Sequence, residues 1–504
     1  MAQLVEEMKG KRQRQPYRHA VCDRIATMKK QNNISKKGSH SAGSSQQKGA
    51  QATSRKHTNR KVDARKQDVR KAGTRKQGTR NQRTNAQGHV RGDNHIRGGN
   101  HGQRGRERSG LYCPIDSRCG GCENLKIAYK VQLAHKQETI NELFEGLFDK
   151  NTQVDPICGM ADPRYYRNKV VSPYVGIYDK RARERKIICG MYERGTHWVI
   201  DSNQCLIENQ LAKAIILTVR DLMPSFGLSP YDEKTNTGFL RHVMVRVGHN
   251  SGEVMVTLVT RTEKFPSSKH FVRELKRRHP EITTVVQNIN PRQTNVILGE
   301  EERTLYGPGF ILDTLCGLSF RISSQSFYQV NATQTEVLYT RAIEMAQLTG
   351  TETVIDAYCG TGTIGLVAAR GVSGHPGAKR VIGVEERVDA VADARNNARH
   401  NGVEAAEFVA GDAGAFMREH AGEIRADVLL MDPPRSGATP DFLKAACLMS
   451  PRRIVYISCD PRTQVRDTRY FLEHGYRIDE VQPVDMFPHT NHIENIIAFV
   501  KKDK

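Results

Sequence analysis

"TVIDAYCGTGTIGL", Thr353 to Leu366, decides how the carboxyl half of this chain is built. The run Thr353-Val-Ile-Asp-Ala357 reads as a buried strand, the glycine cluster as a tight turn, and Thr363 onward as the start of a helix. Gly360, Gly362 and Gly365 leave room for a ligand at that turn. Working outward, Thr333 to Leu348 reads as a preceding helix. After the turn come "RVIGVE" as a strand, "RVDAVADARNNARHNG" as a helix with a glycine stop, and "AEFVAGD" and "ADVLLMDPP" as strands. This alternation predicts an α/β fold with a parallel, doubly wound sheet.

The strand ends carry the chemistry. Glu385 closes the second strand, where an acid can bind a ribose diol. Asp412 follows the third and is placed to meet an adenine amino group. "MDPPRSG", Met431 to Gly437, follows the fourth: Asp432 can accept hydrogen bonds from a planar base, and Pro433-Pro434 makes a rigid turn. A helix-capping Asp before a proline turn is the plainer reading of the same residues. No lysine of a phosphate-binding loop follows the glycines, so S-adenosylmethionine fits better than a dinucleotide. In "YISCDPRT", Tyr456 to Thr463, Asp460-Pro461 ends a strand just after Cys459. The thiol is either a packing residue or a nucleophile. "YRIDEVQPVDMFP" and "HIENIIAFVKK" read as a terminal strand pair. An antiparallel last strand would return Glu494 to the edge that holds Cys459.

Composition bounds the rest. The chain has 504 residues, 38% of them hydrophobic, which is low for a wholly globular protein. It contains no run of about 18 apolar residues and opens without the apolar core of a signal peptide. A cytoplasmic protein with no membrane partner is expected, its eleven cysteines serving as thiols or ligands rather than disulfides. Residues 1–110 hold 28 Lys and Arg against 7 Asp and Glu, so +21 of the chain's net +22 lies there. Within this tail Arg-Lys pairs recur every five residues from Arg55-Lys56 to Arg75-Lys76. That period builds neither a helical nor a strand face. A disordered basic tail that binds polyphosphate without reading bases is expected, with nucleic acid as the favoured partner.

"YCPIDSRCGGCENL" places Cys113, Cys119 and Cys122 in a C-x5-C-x2-C loop. Zinc and iron–sulfur clusters both want four ligands. Cys158, Cys189 and Cys205 are available downstream, and no second C-x2-C pair follows. The spacing favours an iron–sulfur cluster over zinc.

From about residue 111 to 504 the chain resembles the RNA 5-methyluridine methyltransferases, most closely their iron–sulfur-containing 23S rRNA branch. The matching motifs are CPIDSRCGGC, YYRNKV, SFYQVN, DAYCGTGTIGL, GVE, MDPPRSG, SCDPRT and FPHTNHIEN. The resemblance implies that Cys459 is the nucleophile and Glu494 the proton acceptor. It puts Gln329, Tyr358, Glu385 and Asp432 at the cofactor positions, with Asp432 also able to touch the uracil. It makes Cys205 the fourth ligand of a [4Fe-4S] cluster beside Cys113, Cys119 and Cys122, leaving Cys158 and Cys189 as ordinary thiols. Two departures stand out. Residues 1–110 show no pattern for the small RNA-binding barrel that many members carry there. Thr363 sits where many relatives have Asn, which alters one cofactor contact.

The expected organisation is a tail over 1–110, a cluster-bearing segment over 111–160, a β-rich RNA-binding region over 161–325 and a Rossmann-like class I methyltransferase domain over 326–504. In the middle region "HVMVRVG", "EVMVTLVT" and "TNVILGE" suit an antiparallel sheet. The expected reaction adds a thiolate to uracil C6, transfers a methyl group to C5 and removes the C5 proton. The target is a flipped or unpaired uridine of 23S rRNA. A monomer acting on ribosome assembly intermediates is expected. The competing readings are a tRNA uracil-C5 methyltransferase, an RNA cytosine-C5 methyltransferase and a non-catalytic ribosome-assembly factor. The second lacks its usual cysteine beside the proline motif, and the presence of both Cys459 and Glu494 weighs against the third.

Overall fold

Thr353–Ala357 forms an interior strand of a seven-stranded sheet, its apolar side chains buried on both faces. The computed structural model describes residues 111–148 and 152–503, which form one unit. The basic tail expected over 1–110 lies outside the described residues.

The sheet comprises β10 (Thr353–Ala357), β13 (Arg380–Glu385), β14 (Ala406–Ala410), β15 (Val428–Met431), β16 (Arg453–Ser458), β17 (Tyr476–Val484) and β18 (Glu494–Lys501). Its order is β14-β13-β10-β15-β16-β18-β17, parallel except for β18, which runs against both β16 and β17. The helices between the strands are α5 (Thr363–Arg370), α6 (Val388–Asn401), α7 (Ala413–His420), α8 (Pro440–Met449) and α9 (Pro461–Glu473). α4 (Ala332–Ala346) precedes them, and a small ribbon, β11 (Gly371–Val372) with β12 (His375–Pro376), follows α5. Local chemistry sets the turns. Gly362, at φ +79°, occupies the position before α5 in the left-handed region that suits glycine. At Gly365 a Cβ would lie 2.6 Å from Asp356 Oδ2, so only glycine lets α5 seat this close to β10. Thr439 and Asp460 cap α8 and α9, each followed by a proline at the first helical turn.

A second seven-stranded sheet precedes it: β1 (Lys169–Asp179), β2 (Glu184–Tyr192), β3 (Val199–Asp201), β4 (Leu240–Val247), β5 (Val254–Thr260), β6 (Ile282–Ile289) and β7 (Glu301–Tyr306), in the order β3-β2-β1-β4-β5-β6-β7. One face packs on α2 (Gln210–Leu222) and α3 (Ser268–Arg278) through Val170, Val243, Ile215 and Phe271. Met255 and Val286 join the core of the first-described, mostly parallel sheet, as does the hairpin β8 (Ile311–Leu315) and β9 (Leu318–Ile322).

This second sheet corrects two expectations. It is mixed rather than antiparallel, since β5 and β6 run parallel with α3 as the crossover. "TNVILGE" is an irregular loop, not a strand. Side chains satisfy its backbone in place of a strand partner. Asn290 Nδ2 donates to the carbonyls of Val296 and Ile297, and the Arg241 guanidinium donates to those of Asn290, Arg292 and Thr294.

Residues 111–160 hold the cysteine loop and α1 (Tyr129–Leu143). The buried face of α1 is polar at Gln132 and Lys136 and turns apolar only at Ile140. Lys136 Nζ donates to Asp485 Oδ1 at 2.6 Å and to the carbonyls of Phe487 and His492, while Gln132 meets His489. The helix thereby braces the segment that leads into β18.

Candidate active site

β16 ends at Ser458, which pairs with Asn495 of the antiparallel β18. The next residue on one strand is Cys459, and the preceding one on the other is Glu494. Antiparallel register therefore sets this thiol and carboxyl side by side. Asn495 Nδ2 donates to Gln464 Oε1 at 2.9 Å, and Gln464 Nε2 donates to the carbonyls of Tyr456 and Asn495, so α9 locks the two strand ends together. Asp432 follows β15, the neighbouring strand. Its loop is anchored from behind, because Asp467 Oδ2 accepts from Tyr456 Oη and from the Ala438 amide.

The three groups act on one another electrostatically. Burial, then Glu494 and Asp432, push the Cys459 thiol up to about 12, while Arg435 opposes them. Burial pushes Asp432 up to about 7. Glu494 is 5% exposed and raised well above the usual carboxylate range by burial and by Asp432, again against Arg435. Burial thus disfavours the charged form of all three groups: the thiol stays protonated at neutral pH, Asp432 is brought to the edge of ionising there, and Glu494 is shifted in the same direction. Arg435, in the same MDPPRSG stretch, is a member of this cluster that the sequence reading passed over. Its signal was its position, three residues beyond Asp432.

The same sheet edge carries the other expected residues. Glu385 accepts from the amides of Gly360 (3.1 Å) and Arg387 (3.1 Å), tying the end of β13 to the glycine turn. No atom lies within 4 Å of where a Cβ on Gly360 or Gly411 would stand, so the backbone is open to a ligand there. Tyr358, at φ +63°, packs its ring 5.0 Å from that of Phe442. Asp412 also caps α7 by accepting from the Ala415 amide at 2.6 Å, which draws one of its oxygens away from any adenine. Thr363 opens α5, and its hydroxyl meets Tyr339 Oη at 3.3 Å. Gln329 lies off this sheet edge, in the segment before α4. Its carbonyl accepts from Asn168 Nδ2 of the segment before β1, at 3.1 Å, so it joins the two sheets.

The cysteine loop folds against β2, with Cys119 bridging Glu193. Burial pushes the Cys122 thiol up to about 12, with Cys205, Cys119 and Cys113 adding to the rise and Arg167 opposing it. Cys205, also raised to about 12 by burial, receives the amides of Ile207 and Glu208, and the Gly121 amide donates to Cys119 Sγ at 3.3 Å. Four thiols thus come within electrostatic reach of one another, with backbone amides aimed at two of them. Among the described residues no three His, Cys, Asp or Glu side chains stand at ligand spacing. The donor set, four thiols, suits a thiolate-bound group.

Comparison with known proteins agrees with this architecture. Residues 313–502 match the family model described as tRNA (Uracil-5-)-methyltransferase. An RNA methyltransferase of Halalkalibacterium halodurans is 43% identical over 394 residues, covering 78% of this chain and 83% of that protein. One from Listeria innocua is 42% identical over 391 residues, covering 77% and 83%. The crystal structure of the Pyrococcus abyssi tRNA (uracil-54, C5)-methyltransferase in complex with S-adenosyl-L-homocysteine is 26% identical, covers 76% of this chain and 86% of its own, and superposes with a TM-score of 0.60. With these matches across both sheets and the shared motifs at the strand ends, the chain belongs to the RNA (uracil-5-)-methyltransferase family.

Proposed function

We propose that this S-adenosylmethionine-dependent RNA methyltransferase modifies C5 of a uridine in 23S rRNA through covalent addition of Cys459. The observation that carries the reading is the juxtaposition of Cys459 and Glu494, one residue past the Ser458–Asn495 pair that ends the β16–β18 ladder, within electrostatic reach of Asp432. C5 of uracil is a weak nucleophile. Attack of the Cys459 sulfur on C6 pushes the C5–C6 electron pair toward the C4 carbonyl and makes C5 enolate-like. S-adenosylmethionine supplies the methyl group as an electrophilic sulfonium. Gly360, Glu385, Tyr358, Thr363, Asp412 and Gln329 are the residues that would hold it. Glu494 then takes the C5 proton, the C5–H electron pair reforms the C5=C6 double bond, and the C6–S bond breaks to release the sulfur as a thiolate. A carboxyl with a raised pKa is the stronger base once ionised, which suits this step. Asp432 can meet the polar edge of the uracil.

The thiol rests protonated, so its proton must pass to a neighbour as the base arrives; Asp432, raised only to about 7, keeps an ionised fraction that can accept it and leaves Glu494 for the C5 proton. The quartet Cys113, Cys119, Cys122 and Cys205 would hold a [4Fe-4S] cluster, whose contribution is to cross-link the cysteine loop to the segment after β3. That likeness to the iron–sulfur branch supports the 23S substrate. The Pyrococcus abyssi structure, a tRNA enzyme by its title, favours tRNA as the second reading. The target would be reached unpaired or flipped, in rRNA or in an assembly intermediate.

Methyl transfer to RNA from a strain lacking the gene, followed by nucleoside mass mapping, tests this. C459A should lose activity by on the order of 10⁴-fold or more while still binding S-adenosylmethionine. Turnover near wild type in C459A would end the covalent mechanism. E494Q should methylate once and accumulate a protein–RNA adduct visible on a denaturing gel; product release at the normal rate would move the base elsewhere. Anaerobically purified protein should be brown with about four iron per chain, and C205S should lose that iron. Stoichiometric zinc in a colourless protein would refute the cluster.

A further inference from the structure

The sheet of β1 to β7 turns one face away from α2 and α3, and that face sets cations among apolar residues. Alternation places Lys169, Val171 and Pro173 of β1 there, opposite Arg246, Met244 and His242 of β4. Arg246 is 5% exposed and His242 8%. Arg246 Nη2 donates to the Ser326 carbonyl at 2.6 Å, but its Nε has no partner, and neither has His242 Nδ1. Lys169 stands directly opposite Arg246, so two like charges face each other across the ladder, an unfavourable arrangement unless an anion joins them. Burial and Arg246 pull the Lys169 amine down to about 8. Among the described residues neither cation has a carboxylate partner, although the surface nearby is rich in ion pairs.

A cavity of about 730 Å³ opens on this face, lined by Lys169, His242, Tyr192, His197, Val330 and Phe487 among others. Its own acids are occupied elsewhere: Glu193 pairs with Arg118 and Glu208 with Lys213. The free charge in the wall is therefore positive. At the outer rim the rings of Tyr192 and His197 lie 6.0 Å apart, next to the exposed Trp198. The inner end reaches Val330, the neighbour of Gln329, and Phe487, on the segment leading to Glu494. Neither Cys459 nor Glu494 lines the cavity, so it is distinct from the reaction site.

We propose that this cavity seats an unpaired nucleotide of the substrate RNA flanking the target uridine, its phosphate on Lys169 backed by Arg246, its base against Tyr192 and His197. The inference rests on the RNA-modifying function above and specifies its substrate: the strand must be single for more than the modified base. A half-buried lysine in the cavity wall with a buried arginine opposite it suits a phosphate, and aromatic rings at the wall suit any base. The rival anion is the carboxylate of S-adenosylmethionine.

Binding of a fluorescein-labelled oligouridylate to the full-length protein, titrated over salt, tests this without requiring turnover. K169Q should weaken binding about tenfold and reduce the slope of log K against log salt by about 0.7, with affinity for S-adenosylmethionine unchanged. K169R, which keeps the charge, should restore both and so separates lost charge from lost folding. Y192A should weaken binding about tenfold at an unchanged salt slope. Unchanged affinity and slope in K169Q overturn the proposal. So does a loss of S-adenosylmethionine affinity instead, which would assign the cation pair to the cofactor. If no uridine is methylated by the wild type, the catalytic reading fails while the oligouridylate result still stands.

Discussion

Asp356 is the acid of β10 that the reaction leaves unused. It is 1% exposed, and its Oδ2 has no partner. Burial, opposed by the Gly365 amide and aided by Asp432 and Glu385, raises it to about 8. Its ordinary value is near 4, so folding takes up a proton at this site between about pH 4 and 8. The stabilisation it offers is complete below the lower value and is lost as pH rises through the upper one. D356N, which cannot ionise, should flatten this dependence. Thermal melting of the two proteins from pH 5 to 8 should show the wild type losing up to about 1.4 kcal/mol per pH unit relative to the variant. Parallel curves would mean that Asp356 is ionised in the fold. The same scale explains Cys459: its identity was plain in "YISCDPRT", but its environment was not, because Arg435 and Asp432 approach from another strand.

At the scale of elements, α1 has a buried polar face, contrary to the apolar stripe that usually docks a helix. Lys136 and Asp485 are 5% and 0% exposed at their side chains and meet at 2.6 Å, with Tyr129 Oη also donating to Asp485. Removing one partner of a buried pair leaves the other charge stranded. K136M should therefore cost roughly 3–5 kcal/mol in denaturant unfolding, and adding D485N should recover part of it. An effect below about 1 kcal/mol would show that water screens the pair. Since Lys136 also holds the His492 carbonyl, K136M should slow methyl transfer through the placement of Glu494.

For the whole molecule, charge is divided unevenly. Residues 1–110 carry +21 of the net +22, leaving the rest of the chain almost neutral. Deleting residues 1–105 keeps every proposed ligand and catalytic residue. RNA binding should weaken and lose salt dependence by roughly 0.7 to 0.9 in slope per phosphate contact removed. The modified uridine should stay the same, because cationic repeats do not read base edges. An unchanged slope would leave the tail without a role in RNA binding, and a different target would give it one in site choice.

The doubly wound sheet, the glycine turn and the carboxyl-edge acids were legible from residue 353 outward because strand and helix periods are local. A few neighbouring residues suffice to set them. "TNVILGE" defeated that logic: its apolar residues look like a strand, but Arg241 and Asn290, distant or local, satisfy its carbonyls first. The parallel β5–β6 pairing, the approach of Cys205 to the cysteine loop and the facing of Lys169 by Arg246 are likewise contacts between segments far apart in the chain. No period records them. The sequence by itself determined which groups could do the chemistry. Only the tertiary structure decided which of them meet, since register, burial and the neighbouring charges that shift a proton are properties of packed strands.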